Sequence, residues 1–264
     1  MLHRLLFIVL VATVPVETFA REEPCKSYAF WFLDYVLEGY STELQVDPTE
    51  FAAHRGPISW RALWVIHRCP SSALQYLSRD LAASIRWIDD LPTVVEAGAG
   101  QRTSRAPLII GVARQIKALP ASTINADLRN RLAQALRVQK GEPADSAVPV
   151  TRHMWCEVLL EDLGREWVEP DGFLKADASN TAVILPYCPL ETVSFLRDNP
   201  RVMDLWTANL NPAQFEGEVN DTQTCHLAAD ILSATKRLRK SRGMRAPADK
   251  ITRAASDVLK DCRF

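Results

Sequence analysis

The chain has 264 residues, with 31 lysines and arginines against 32 aspartates and glutamates and a formal net charge of −1. That balance excludes bulk attraction to nucleic acid or to an anionic membrane, both of which need a marked excess of positive charge. Apolar residues make up 47% of the chain, enough to build a substantial core.

Residues 1–20 have the order of a secretory leader. His3 and Arg4 give a basic start, Leu5 to Val14 is apolar, Pro15 breaks the run, and Thr18-Phe19-Ala20 ends on small residues. The apolar run is too short to span a bilayer, which takes about twenty residues. Cleavage after Ala20 would leave residues 21–264 in an oxidising compartment, periplasmic or secreted, with no transmembrane segment after removal of the leader. Arginine outnumbers lysine, 23 to 8, a bias that favours a bacterial source. Asn220-Asp221-Thr222 would be a glycosylation acceptor in a eukaryotic secretory route.

Beyond the leader, helical periodicity dominates. Residues 27–37 are almost all aromatic or aliphatic and predict a buried helix, with a strand as the lesser option. Asp47-Pro48-Thr49-Glu50 has the acid, proline and glutamate of a capped helix start. Leu74, Leu77, Leu81, Ile85 and Ile88 form one apolar stripe after Cys69-Pro70, and residues 108–119 predict a short buried helix. Ile124, Leu128, Leu132 and Leu136 form another stripe. Residues 96–107, 140–150, 170–181 and 211–222 read as breaks, and Val183-Ile184-Leu185 is the best strand candidate. Residues 226–240 form a helix that stops at Gly243. Ile251, Ala254, Ala255, Val258, Leu259 and Cys262 then mark one face of a final helix, with Pro247 in its first turn.

The expected fold is all-α. Cys69-Pro70 and Cys188-Pro189 open similar segments, with Leu74 matching Val193, Tyr76 matching Phe195, Leu77 matching Leu196 and Trp87 matching Trp206 at one offset. This predicts two related four-helix-like units, residues 21–140 and 151–264, joined by a linker at 141–150 and stacked as a short solenoid. Coincidence between apolar helices is the alternative.

Six cysteines remain after the leader, and an even set in an exported chain predicts disulfides. Cys225 opens one helix and Cys262 closes the next, so an antiparallel hairpin brings them level. The same logic pairs Cys156 with Cys188 and Cys25 with Cys69.

Catalytic and metal signatures are absent from the sequence pattern. No GxSxG elbow, phosphate-cradling glycine loop, HExxH or paired CxxC occurs, so neither a metal nor another cofactor is expected. Glu157 and Glu161 lie one turn apart and suit either a solvated face or a carboxylate pair for hydrolysis. Lys236, Arg237, Arg239, Lys240, Arg242 and Arg245 put six positive charges into ten residues. They either complement a helix C-terminus or form a docking patch for an acidic partner. Trp167 stands among acids in residues 166–172 and is a second candidate contact.

The expectation is a non-enzymatic, exported protein-binding protein, such as an inhibitor or immunity protein against an envelope-acting toxin. An envelope hydrolase whose site assembles from distant helices and a structural adaptor of an envelope complex are the alternatives.

Overall fold

Apolar residues at three- and four-residue spacing run through most of the chain, and in the computed structural model these stretches are α-helix. The structure describes residues 25–41, 48–99, 105–120, 126–136, 150–166, 175–210 and 222–262. Among the described residues the protein is all-α, with no strand.

A 3-10 turn at Ser27–Phe30 leads into α1 (Trp31–Gly39), then α2 (Pro48–Arg68), α3 (Pro70–Leu77), α4 (Leu81–Ala99), α5 (Arg105–Ala118) and α6 (Ala126–Ala135). The second half runs through α7 (Arg152–Glu166), α8 (Lys175–Ile184), α9 (Pro189–Asp198), α10 (Pro200–Asn209), α11 (Thr222–Leu238) and α12 (Arg245–Lys260). Each half therefore has six α-helices among the described residues, two more than the four-helix pattern of the sequence. Prolines account for part of the difference. Pro70, Pro189 and Pro200 each sit in a first helical turn, where the missing N–H costs nothing.

The offset seen in the sequence holds for three of the six pairs of helix starts, and the other three pairs depart from it. Pro70 and Pro189, Leu81 and Pro200, and Ala126 and Arg245 each begin a helix and each lie 119 residues apart. Matched positions occupy matched environments: Leu74 and Val193, Leu77 and Leu196, Trp87 and Trp206, and Leu132 and Ile251 are all fully buried.

Helix α2 is the hub of the first half. Its Trp60, Leu63, Trp64 and Ile66 are buried, and it packs on α1, α3, α4, α5 and α7. Burial of a leucine or isoleucine of this kind contributes roughly 1.5–3 kcal/mol. The core continues into the second half, where Tyr187 meets Trp64 edge-on at 4.9 Å between ring centroids. The lead-in also crosses over. Tyr28 Oη donates to Asp230 Oδ2 at 2.7 Å, Lys26 pairs with the same carboxylate, and Trp31 Nε1 donates to Gln223 Oε1 at 2.6 Å. Burial, followed by electrostatic coupling to the Tyr187 phenol, holds the Tyr28 phenol far above its ordinary range, so it stays protonated and donates.

Three disulfides join Cys25 to Cys69, Cys156 to Cys188 and Cys225 to Cys262, with Cα atoms 5.8, 5.6 and 5.9 Å apart. These are the sequential pairs that helix spacing predicts. Each closes a loop and is worth roughly 2–4 kcal/mol through the unfolded chain.

Three local expectations fail for identifiable reasons. Val183, Ile184 and Leu185 are not a strand: Ile184 ends α8, and the Leu185 amide continues the helical pattern by donating to Thr181 O. All three are buried on every side, an environment that gives a strand and a core helix the same apolar run. The expected break at 170–181 contains the start of α8. The single stripe from Leu74 to Ile88 is two helices. Asp80 Oδ1 accepts from the Ala83 amide at 2.9 Å, and Ser84 Oγ donates to Leu77 O at 2.7 Å. These side-chain bonds hold a 3-10 turn at Ser78–Asp80 and start α4 afresh. Asp47 and the linker at 141–149 lie outside the described residues.

Candidate docking surface

The six cations of the sequence cluster sit at the closed end of the α11–α12 hairpin. Leu227, Ile231, Ala234 and Leu238 of α11 are buried with Ala248, Ile251, Ala255 and Val258 of α12. Between these apolar faces, Thr252 Oγ1 donates to Thr235 Oγ1 at 3.0 Å. Cys225–Cys262 clamps the open end. At the other end, the Ser241 amide donates to Leu238 O at 2.8 Å and the Met244 amide to Ser241 O at 3.1 Å. Gly243 turns the chain at φ 74°, a conformation that disfavours a Cβ, and buried Met244 anchors the turn.

This frame pushes the charges outward. Lys236, Arg237, Arg239, Lys240, Arg242 and Arg245 are all exposed. Arg239 Nε pairs with Asp249 Oδ1 at 2.5 Å. The other five are in no ion pair among the described residues. Arg197, at the end of α9, brings its guanidinium within 3.8 Å of where a Gly243 Cβ would stand. Its fork is already taken by Asp198, at 2.7 and 3.1 Å.

The 119-residue register supplies an internal control. Residues 117–126 (KALPASTINA) correspond to residues 236–245 (KRLRKSRGMR). Lysine, leucine and serine recur at matched places: Lys117 and Lys236, Leu119 and Leu238, Ser122 and Ser241. The first segment carries one cation and the second carries six. Complementing the α11 C-terminus accounts for Lys236 and Arg237 in its last turn, whereas Arg242 and Arg245 lie beyond that turn.

The carboxylates of α7 do not form a pair. Glu157 Oε1 lies 3.1 Å from His153 Nε2, on an exposed face, and His153 Nδ1 lies 3.6 Å from Glu191 Oε1 of α9. Glu161 faces inward instead, 3.6 Å from the buried Arg105, whose guanidinium lies 4.9 Å above the Trp60 ring. No hydroxyl or thiol is bonded to His153 among the described residues, and Cys156 and Cys188 are held in their disulfide.

Local sequence patterns missed several of these groups. Arg105, Asp230, Asp249 and Glu191 find partners far along the chain or in another element, and such pairings leave no periodic trace. His67 is another. It packs against Trp155 at 5.5 Å between ring centroids, and burial, helped by the charge of Arg68, lowers its pKa to about 4. Among the described residues no cluster of three or more histidines, cysteines or acids could hold a metal, and no helix is long and apolar enough to cross a membrane. Trp167 lies outside the described residues. No family model, curated protein or solved structure matches this chain.

Proposed function

We propose that this chain is an exported, non-enzymatic protein that occupies another protein of the envelope, in the manner of an inhibitor or an immunity protein. The observation that carries the proposal is the charge gathered at the α11–α12 turn, on a disulfide-clamped hairpin that holds it in place. The leader-like residues 1–20 and the three disulfides support a periplasmic or secreted location. A pull-down under oxidising conditions tests it, with residues 21–264 as bait and the native envelope fraction as prey. One protein recovered at near-equal amount supports an inhibitor. Recovery inside a large complex would favour a structural adaptor. An empty pull-down from folded, disulfide-intact bait would sink the reading.

A second reading is favoured by the His153 arrangement. An exposed imidazole between two carboxylates suits general acid–base work, so the chain would be an envelope hydrolase. Hydrolysis of cell-wall or lipid substrates, lost in His153→Gln and Glu157→Gln but kept in Glu161→Gln, would support it. Absence of any such activity in the wild-type chain would remove it.

A further inference from the structure

We infer that the α11–α12 turn is a contact surface for an acidic cleft on a protein partner, with Lys236, Arg237, Lys240, Arg242 and Arg245 as the contacting cations. This deepens the protein-binding reading and rests on it. Residues 239–243 and 245–246 are all exposed, so the turn fits into a concavity rather than forming one. Its cations are held ready. Leu238 and Met244 are buried on either side of the bend, Gly243 fixes the bend, and Cys225–Cys262 restrains the two helices behind it. A restrained element loses less freedom on binding. Arg239 and Arg197 are already neutralised by Asp249 and Asp198, so the five remaining cations are the ones with charge to offer.

The chemistry of the turn separates protein from other polyanions. A membrane-surface element joins cations to exposed apolar anchors. Here the two nearest apolar side chains, Leu238 and Met244, face the core, and the exposed large hydrophobics among the described residues are Leu81 and Leu190, in other elements. Single-stranded nucleic acid is bound with the help of stacking aromatics, and residues 236–245 contain none.

The first hairpin supplies the test variant. Exchanging Arg237→Ala, Lys240→Ala, Arg242→Thr and Arg245→Ala installs the residues of positions 118, 121, 123 and 126, which lie 119 residues earlier in the sequence. The full exported chain is titrated at physiological salt with fluorescent oligo-glutamate, with vesicles of phosphatidylcholine and phosphatidylglycerol, and with a single-stranded oligonucleotide. Wild type should bind oligo-glutamate most tightly, and the fourfold variant should lose roughly tenfold or more in affinity with an unchanged melting curve. If the fourfold variant melts early, the milder pair Arg242→Thr and Arg245→Ala replaces it. Equal binding by variant and wild type overturns the surface assignment, and tighter binding of vesicles or oligonucleotide overturns the partner class. The same variants in the envelope pull-down keep the two readings apart. Capture by both wild type and variant leaves the protein-binding function standing without this surface. Variant-sensitive oligo-glutamate binding with an empty pull-down leaves the surface without that function.

Discussion

The α5–α6 and α11–α12 segments align at the 119-residue offset of the sequence, yet their surroundings differ. In α5, Gly111 is where other elements come close: a Cβ there would stand 2.6 Å from Val150 Cγ2 and 3.3 Å from His67 Nε2. The matched position in α11 is Asp230, which instead grips Lys26 and Tyr28 of the lead-in. The first pair is therefore crowded at Gly111. The second is stiffened by its own disulfide and turns a charged end to solvent.

The most severe test of the correspondence is at its two tryptophans. Trp87→Ala and Trp206→Ala should each cost about 3–5 kcal/mol, because both remove a fully buried ring and leave a cavity. Urea unfolding of the two variants measures it. A small effect at one site only would break the equivalence of the halves. Next comes the clamp that the first hairpin lacks. Replacing both Cys225 and Cys262 by serine should cost about 2–4 kcal/mol in the same assay.

His67 gives the first half a pH dependence of its own. Its folded pKa, about 4, lies below the ordinary 6.5. As pH falls through that window, the unfolded chain takes up a proton that the folded chain refuses. Stability is therefore full above the window and is lost across it, by at most about 3 kcal/mol for this group. Asp34 and Glu38 work in the opposite direction, since burial raises both carboxyls and favours the folded state as they protonate. The difference between wild type and His67→Gln isolates the histidine. Its contribution should change between pH 7 and pH 4, and a pH-independent difference would show that His67 is not buried as described.

The matched pair Gly111 and Asp230 should respond to different chemistry at about 1–3 kcal/mol each. Gly111→Ala must displace Val150 or His67, whereas Asp230→Ala removes the carboxylate that Tyr28 and Lys26 share. Asp230→Asn keeps an acceptor and should recover part of the loss. The smallest effect belongs to the charged turn. The fourfold exchange of Arg237, Lys240, Arg242 and Arg245 should change stability by no more than about 0.5 kcal/mol by thermal unfolding. A larger loss would return those charges to a structural role.

Much of this architecture can be read from residues alone, because helices leave a period and disulfides leave an even count. Leu227, Ile231 and Leu238 announce α11, and the spacing of Cys225 and Cys262 follows from the hairpin it forms with α12. The misreadings fall where periodicity carries no information. Val183, Ile184 and Leu185 are buried on all sides, so their pattern cannot separate strand from helix. The break before α4 depends on one side chain, Asp80, turning back to the Ala83 amide. Of the candidate site, the cationic residues were visible as a run. Their exposure, the five left without ion pairs and the contrast with residues 117–126 were not, since each depends on three-dimensional partners or on the helix register. Glu157 and Glu161 looked alike one turn apart, and only the placement of Arg105 and His153 gives them separate tasks.

The lead-in has a consequence for the order in which the chain can mature. Tyr28 and Lys26 are made early, but the carboxylate they share is at residue 230, more than 200 positions later. During synthesis the first helices can assemble around α2, yet this strap has nowhere to rest until α11 has emerged. Completion of the fold is therefore tied to arrival of the last quarter of the chain, and contacts of such long separation form late and slowly. A chain stalled before residue 223 would keep Tyr28 and Trp31 without these partners, a state that folding helpers and proteases are suited to detect.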